Sequence, residues 1–337
     1  GVNGAIRQAA LAGFKELITL DMGGTSTDVC VVTGGKADLS SETEVDGLTI
    51  RTPALDIVTV GAGGGSIIWI DDGGMLRIGP RSAGADPGPA CYVRGGTEPA
   101  ITDAHIVRGS IRPEAFLGGA MHIDSTAAHT ALTPLAESLG MSLEAFADSA
   151  IRVADANIVR AIQLVSTERG RDPRDYVLTP YGGAGPLHAV RVAEELGIET
   201  VVVAPNAGVL SAFGLLAADF AQYDTLTRKV PVDDNAPEIV RKVFDDMAVE
   251  ARKAFAAFEI DAEPNFVPTL EMRYVGQAFE IQVALDHDGL ETITTEALSA
   301  RFAEAHIQLF GFGGADFGPC EIVSFRIGAL APPSNLP

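Results

Sequence analysis

The feature that most constrains the fold is an apolar segment broken by small residues. Residues 17–33 read LITLDMGGTSTDVCVVT, with apolar runs at 17–20 and 29–32 on either side of five small residues. Short runs rich in Ile and Val are typical of strands, and paired glycines between them predict a tight turn. We therefore expect strand, turn and strand, with Asp21 ending the first strand and Asp28 opening the second.

The residue types of the turn suit the binding of an anion. They are Gly23, Gly24, Thr25, Ser26 and Thr27. Glycines let a backbone approach phosphate closely, and successive N–H groups and hydroxyls form a nest of donors. Asp21 is an unusual choice for packing at the end of a buried strand, whereas it could hold a hydrated Mg²⁺ over a polyphosphate. The alternative is a glycine-rich hairpin whose aspartate bonds its own turn. This stretch by itself leaves both interpretations open.

A second glycine loop follows another apolar run. Residues 176–203 predict a strand, a loop, a helix and a further strand, an order that favours a parallel, doubly wound α/β unit. The loop candidates are Gly182, Gly183, Ala184 and Gly185. They open a helix, where N–H groups converge at the positive end of the helix dipole. The loop matches neither the Walker A pattern nor G-x-G-x-x-G.

The chain of 337 residues is long enough for two domains. A composition shift at 225–237 predicts a boundary, with an α/β domain at 1–225 and a small α+β domain at 226–337. We expect hairpins through Gly34-Gly35 and Asp72-Gly73, a strand in 43–50, and helices over 124–170, one of them capped by Ser142. The Gly- and Pro-rich stretch 79–100 predicts a long functional loop.

Charge and cysteine content exclude several classes of partner. Asp and Glu total 45 against 24 for Lys and Arg, a net charge of −21. Such a surface repels nucleic acid and anionic membrane, so any phosphate site must be local. Three widely separated cysteines fit a reducing cytoplasm. Residues 201–218 carry no charge, but Pro205, Asn206 and Gly208 interrupt them, which predicts a buried strand, a turn and a core helix rather than a membrane span.

Several further residues are weaker candidates. The 61–66 loop, GAGGGS, could line a cleft or form a tight strand entry. Asp86 could bind metal or orient substrate, and Cys91 is expected to be a buried thiol rather than a nucleophile. Spacing argues against a metal pair of Asp103 and His105, although one of them could lie near the cleft.

Three other polar residues have structural and functional alternatives. His188, on the first turn of the helix after the 182–185 loop, is expected to pack or cap. Arg169 and Arg171 could complement the dipole of the preceding helix or lie near phosphates. The three cysteines and six histidines show no zinc-ligand spacing.

The two glycine elements together resemble those of the actin, sugar-kinase and Hsp70 class of ATPases. The resemblance implies an actin-like (ribonuclease H-like) lobe, with ATP between two lobes, phosphates on residues 21–28 and adenosine on residues 181–185. The first phosphate element of that class has no match here. We therefore expect the chain to be the C-terminal portion of a longer one, inactive by itself.

A run of segments sharpens the resemblance. In order they are DMGGTSTDV, TPALDIVTVGAGGGSI, GPRSAGADPGPACYVRGG, TDAHIVRG, RGRDPRDYVL, YGGAGPLHA, GVLSAFGL and RYVGQAFEI. They resemble the A subunit of the hydantoinase/oxoprolinase family, which is related to the β-type subunit of acetone carboxylases.

That family resemblance implies an ATP- and Mg²⁺-dependent hydrolase. ATP would phosphorylate the carbonyl of a small cyclic amide, and water would then open the ring with the help of a B-type subunit. Asp21 and Asp28 are the expected catalytic residues, with Asp21 on the metal. We expect a cytoplasmic oligomer. A ketone carboxylase subunit and a non-catalytic ATP switch remain alternatives.

Overall fold

The structure is a computed structural model that describes residues 1–40, 43–45, 48–50, 54–287, 289–311, 313 and 317–332. Two compact units divide the chain, Gly1–Leu216 and Ala217–Pro337. The predicted boundary between residues 225 and 226 therefore falls inside a strand of the second unit. Among the described residues, none of the helices combines the length and apolar character that crossing a bilayer requires.

The first unit contains six α-helices and eleven strands in its described part. Its strands are β1 (Leu17–Met22), β2 (Thr27–Thr33), β3 (Lys36–Ala37), β4 (Leu39–Ser40), β5 (Thr43–Val45), β6 (Leu48–Ile50), β7 (Ala54–Leu55), β8 (Val58–Val60), β9 (Ser66–Ile70), β10 (Leu76–Ser82) and β11 (Val177–Tyr181). Its helices are α1 (Val2–Leu11), α2 (Ile101–Arg108), α3 (Ser125–Ser138), α4 (Leu143–Val165), α5 (Gly185–Leu196) and α6 (Leu210–Leu216).

The central sheet of the first unit is mixed. Its order is β11-β1-β2-β3, and β8 also pairs with β2. Strands β1 and β2 form the predicted antiparallel hairpin, while β11 runs parallel to β1. After α5 the predicted strand is reduced to one parallel bridge between Leu178 and Val201. The α/β fold and the strand–loop–helix order follow the sequence prediction.

Helices cover both faces of this sheet because its strands are apolar on both sides. Ile18 and Leu20 of β1 pack on α4 and α5, and Leu17 packs with α1 on the opposite face. The Ser142 hydroxyl accepts from the Ala145 amide 3.2 Å away, which caps α4 as predicted. The apolar face predicted for α4 is buried at Ile151, Ala154, Ile158, Ala161, Ile162 and Val165.

Two stretches differ from the sequence prediction. Instead of one strand in 43–50, β5 pairs with β6 as a small hairpin, and residues 46–47 lie outside the described part. The predicted core helix near 210–216 is short, and its Leu215 is 81% exposed. The prediction was wrong there because only Leu210 and Gly214 of α6 find buried packing positions.

The second unit is an α+β domain. Its elements are β12 (Phe220–Pro231), α7 (Ala236–Ala257), β13 (Asn265–Tyr274), β14 (Ile281–Ala284), α8 (Thr295–Phe310) and β15 (Cys320–Ala331). The antiparallel sheet has the order β12-β15-β13-β14. Its core joins Phe244 and Phe255 of α7, Phe302 of α8, and Phe325 of β15.

Candidate functional site

Two carboxylates lie side by side at one end of the β1–β2 hairpin. Asp21 is directly opposite Asp28, and on its other side it is paired in register with Tyr181 of β11. Both aspartates are partly exposed. The Ser211 hydroxyl donates to Asp21 at 3.1 Å, and the Thr59 hydroxyl donates to Asp28 at 2.6 Å. Each carboxylate is thus oriented by a hydroxyl from a distant part of the chain.

Burial sets the electrostatics of this pair. Desolvation raises the pKa of Asp21 above its usual value, against the lowering effect of the Ser211 hydrogen bond. Desolvation also raises the pKa of the buried Tyr181 hydroxyl, with Asp21 adding to that rise. A cation close to Asp21 would reverse the penalty on its charged form. The site therefore favours a positive charge beside Asp21.

The turn between the two strands presents backbone to solvent. The Gly23 amide donates to the Ser26 carbonyl at 3.1 Å, which closes the turn. Gly23, Gly24 and Thr25 are exposed, and a Cβ on either glycine would meet no other atom within 4 Å. Thr27 is buried instead, and its hydroxyl donates to the Ala62 carbonyl. The open side of the turn can therefore accept a ligand at residues 23–25.

The 182–185 loop lies against the end of β1. Gly182 has φ +81°, and a Cβ there would be 2.5 Å from Asp21 Oδ1 and 2.5 Å from the Met22 carbonyl oxygen. The Ala184 amide donates to that carbonyl at 2.9 Å. Gly183 is exposed at the tip of the loop. The structure therefore brings together the two glycine elements that were predicted separately.

The 61–66 loop supports the turn from behind. Its Gly64 and Gly65 amides donate to the Gly23 and Gly24 carbonyls at 2.9 Å and 2.6 Å. Gly63, Gly64 and Gly65 are all buried. The loop leads directly into β9 at Ser66, so of the two alternatives the tight strand entry is the one observed. The three glycines keep the turn residues in place without lining an open surface themselves.

The cavity next to the carboxylates is small. Its volume is about 150 Å³, and Thr19, Asp21, Asp28 and Tyr181 are among its lining residues. Drug-sized ligands usually occupy pockets of about 300–1,000 Å³. A nucleotide at this site would therefore need further surface beyond this cavity.

The carboxylates fit a hydrated magnesium ion better than a ligand cage made only of protein. No group of three or more His, Cys, Asp and Glu side chains in the described ranges is arranged to hold a metal. Magnesium commonly keeps several waters and takes one or two carboxylates together with substrate phosphates. Asp21 and Asp28, adjacent and partly exposed, match that donor set.

Of the other acidic and thiol candidates, Asp103 and Cys91 have structural environments, and Asp86 stays a candidate. Asp86 is exposed in the loop after β10. Asp103 accepts from the amides of Ala90, Cys91 and Ala100 at 3.2, 2.8 and 2.8 Å, and it thereby ties the loop to the start of α2. Cys91 is fully buried, and burial raises the pKa of its thiol, as expected for an unreactive cysteine.

The arginine prediction needs correction. Helix α4 ends at Val165, before either arginine, so neither lies in its last turn. Arg169 forms an ion pair with Asp56, and Arg171 forms one with Asp38. These contacts join the segment after α4 to the edge of the central sheet. The sequence could not reveal them because both partners lie more than a hundred residues away.

Sequence reasoning missed two polar partners of the site, Ser211 and Thr59. Ser211 and Thr59 orient the two aspartates. Ser211 lies in the uncharged stretch 201–218, and Thr59 lies just before the 61–66 loop. His188, expected to pack or cap, is buried and contacts the His105 ring through an Nε2–Nε2 distance of 3.2 Å. A polar residue placed inside an otherwise apolar segment was the available signal in each case.

This arrangement defines the class of the first unit. A hairpin with an acidic, glycine-rich turn lies beside a parallel strand that leads into a glycine loop and a helix. It is an α/β lobe, as the sequence predicted. A match to the model of the family described as Hydantoinase/oxoprolinase covers residues 1–224. The chain belongs to the hydantoinase/oxoprolinase family.

Individual relatives extend the similarity to nearly the whole chain. Caprolactamase subunit alpha of Pseudomonas jessenii is 37% identical over 325 residues, which is 95% of this chain and 46% of the relative. The 5-oxoprolinase of Saccharomyces cerevisiae is 32% identical over 316 residues, covering 89% of this chain and 24% of the relative. The solved nucleotide-free structure of acetone carboxylase matches 99% of this chain and 49% of its own, with a TM-score of 0.80 and 25% identity.

The chain spans about half the length, or less, of the curated relatives it matches.

Proposed function

We propose that this chain is part of an ATP-dependent amidase that opens a small cyclic amide. The observation that carries the proposal is the meeting of the two glycine elements at Asp21. Its carboxylate lies beside Gly182, and the exposed backbone of residues 23–25 continues from the same strand end. Phosphate, metal and nucleoside binding require groups of these types at one place.

In this proposal the ATP phosphates contact the 23–27 turn, chiefly through its exposed backbone. The 182–185 loop, at the N-terminus of α5, contacts the adenosine end of the nucleotide. Asp21 would hold a hydrated Mg²⁺ with Asp28 beside it, and the ion would neutralise the phosphate charge. The Ser211 and Thr59 hydroxyls keep the two carboxylates in fixed orientations for that task.

The proposed reaction balances with one ATP and two waters. The amide carbonyl oxygen takes the γ-phosphoryl group and ADP leaves, which converts a poor electrophile into one with a good leaving group. A first water attacks the carbonyl carbon and the C–N bond breaks, which releases the ring amine and leaves an acyl phosphate. A second water attacks the acyl carbon, and inorganic phosphate departs with the former carbonyl oxygen to leave a carboxylate. Positioning and charge neutralisation supply most of the rate enhancement.

The names of two relatives support a cyclic amide as the substrate class. Caprolactam and 5-oxoproline are both lactams, and caprolactamase and 5-oxoprolinase are relatives of this chain. The caprolactamase relative is named as a subunit. We accordingly propose a B-type partner subunit that completes the ring-opening step, in a cytoplasmic complex.

A second candidate, an ATP-dependent ketone carboxylase, is favoured by the extent of the structural match to acetone carboxylase. It shares the first chemical step, because a ketone oxygen could also receive the γ-phosphoryl group. Bicarbonate dependence of substrate consumption would distinguish it from the amidase. A non-catalytic ATP switch would transfer no phosphoryl group to any substrate.

Isotope labelling tests the proposed chemistry. With ¹⁸O in the lactam carbonyl, ring opening by the complex of the full-length protein and its partner subunit should transfer the label to inorganic phosphate. The matched control uses unlabelled lactam in H₂¹⁸O, where the label should enter the new carboxylate and leave the phosphate unlabelled. Unlabelled phosphate from a complex that is opening labelled rings would exclude carbonyl phosphorylation.

A further inference from the structure

A buried chain of polar side chains connects three helices behind the site. Asp155 of α4, His188 of α5 and His105 of α2 are each no more than 2% exposed. Asp155 Oδ1 lies 2.5 Å from His188 Nδ1, and His188 Nε2 lies 3.2 Å from His105 Nε2. The histidine rings meet edge to face, with their centroids 4.9 Å apart. A buried series of this kind requires an explanation because each polar group loses hydration.

The Asp155 carboxylate determines which atom donates in its bond to His188. The Asp155 carboxylate can only accept, so His188 Nδ1 carries the proton in that bond. His188 Nε2 and His105 Nε2 then share one proton, which one ring nitrogen donates and the other accepts. Burial first, and then His188, Arg108 and Arg191, lower the pKa of His105 to about 3. His105 is consequently neutral at physiological pH.

The contact between His105 and His188 closes a ring of hydrogen bonds that runs around the candidate site. Helix α2 begins near Thr102, whose amide and hydroxyl both donate to the Gly64 carbonyl at 2.8 Å. Gly64 in turn donates to Gly23 at the turn, and Ala184 donates to Met22 at the end of β1. The contact between His105 and His188 joins α2 back to α5, the helix that starts with the 182–185 loop.

We propose that His105 and His188 are positioning residues that fix the 61–66 loop and the 182–185 loop relative to each other. The expected effect on nucleotide binding rests on the proposed function, whereas the structural coupling between the two loops does not. In this proposal the hydrogen bond to Asp155 fixes the orientation of the His188 ring. The contact between His188 and His105 then holds α2 in a fixed position relative to α5. The turn at residues 23–25, which the 61–66 loop supports, then keeps a constant distance from the loop at 182–185.

Amide hydrogen exchange in the full-length protein tests the coupling directly. His105→Leu removes the link, fills its space with an apolar side chain and leaves the bond between Asp155 and His188 intact. Exchange at residues 63–65 and 182–184 should rise together by about tenfold, the effect of losing one buried hydrogen bond. His105→Gln, which keeps a donor on a side chain of similar reach, should restore most of the protection. His129→Gln, on the exposed face of α3, is the matched control and should change neither loop.

A second variant guards against a folding defect in the first. His188→Asn keeps a donor for Asp155 but is too short to reach His105, so it should reproduce the joint rise in exchange. If both variants fold and the two loops exchange as in the wild type, or if only one loop responds, the proposal is overturned. That result does not depend on ATP and therefore leaves the proposed function to its own test.

Kinetics of the assembled complex separate positioning from general stability. The KM for Mg-ATP should rise by about tenfold in His105→Leu while kcat changes much less, because the loops contribute to nucleotide binding in both ground and transition states. His105→Gln should recover the lower KM. An equal loss of melting temperature and activity in all three variants, with no selective effect on KM, would assign the histidines a purely structural role.

Discussion

Asp21 combines features that seldom occur together in a purely structural residue. It ends a buried strand, faces a second carboxylate across the hairpin, and has a raised pKa because burial penalises its charge. A side chain kept only for packing would be more stable without that charge. The carboxylate is better explained by a ligand cation that offsets its cost.

The first prediction concerns the activity of Asp21→Asn. In the full-length enzyme with its partner subunit, turnover should fall by orders of magnitude, because the charge that would hold Mg²⁺ is removed while the side-chain volume is kept. Steady-state ATPase and ring-opening assays measure this loss, with Asp72→Asn as a matched control in an exposed turn. A variant that retains most of its ATPase activity would return Asp21 to a structural role.

The second prediction concerns the pH dependence of stability at the same residue. A carboxyl whose pKa is raised by folding stabilises the protein below its unfolded value, near 3.8, and loses this contribution as the pH rises through the raised value. The free energy of unfolding of Asp21→Asn, relative to that of the wild type, should therefore be highest at neutral pH. This advantage should disappear as the pH falls towards 4. Urea unfolding of the metal-free proteins at several pH values measures the difference. A difference that grows in favour of the variant on acidification would contradict the assigned direction.

The third prediction uses two neighbouring glycines of one loop. Gly182→Ala should destabilise the fold by about 2 kcal/mol or more, because φ is positive and the new Cβ would collide with Asp21 and Met22. Gly183→Ala is the matched control: its Cβ would meet no atom within 4 Å, and its effect should stay within about 0.5 kcal/mol. Denaturant unfolding compares the two. Equal effects would mean that the contact at Gly182 does not constrain the loop.

At the scale of elements, short strands and glycine loops are held by their neighbours more than by their own length. Strand β8 has only three residues, yet it pairs with β2 and places Thr59 on Asp28. The 61–66 loop that follows β8 packs its backbone directly on the 23–27 turn. The geometry of the turn is therefore a property of two elements together.

The fourth prediction tests that dependence. In Gly63→Ala the new Cβ would lie 2.6 Å from the Gly24 carbonyl oxygen, a backbone atom that cannot rotate away. We expect a loss of about 1–3 kcal/mol in the free energy of unfolding and a weaker affinity for Mg-ATP, because the turn must shift. In Gly61→Ala the nearest atom would be at 3.7 Å, which is ordinary contact, so both quantities should stay near wild type. Calorimetric titration and denaturant unfolding supply the two measurements.

At the scale of the whole molecule, the two compact units have separate cores. The apolar cluster of the second unit contains only residues beyond Ala217, and the clusters of the first unit contain only residues before it. Each unit thus buries its own apolar side chains, as expected of domains. The candidate site lies entirely within the first unit.

The fifth prediction follows from the size of the cavity at that site. We expect the 337-residue chain by itself to bind Mg-ATP weakly, and a longer chain of the length its relatives have to bind it more tightly. A cavity of about 150 Å³ supplies only part of the contacts, and each missing charge-assisted hydrogen bond is worth about 1.5–3 kcal/mol. Isothermal titration of both proteins measures the difference, and equal affinities would contradict the expectation of a nucleotide held between two lobes.

The sequence by itself determined most of the local structure of this protein. Apolar runs at 17–20 and 29–32 became strands, Gly34-Gly35 became a hairpin turn, and Ser142 capped α4. These features depend on residues within a few positions of one another, where backbone preferences and capping bonds act. The two glycine elements and their aspartates were identifiable for the same reason.

Only the tertiary structure decided which distant groups meet. Ser211 bonds Asp21 across 190 positions, and His105 contacts His188 across 83. Arg169 and Arg171, predicted to complement a helix dipole or lie near phosphates, pair with aspartates at the edge of the sheet. Such partners are chosen by the packing of helices on the sheet. That packing depends on the shape and burial of the assembled core, and no local pattern of residues encodes it.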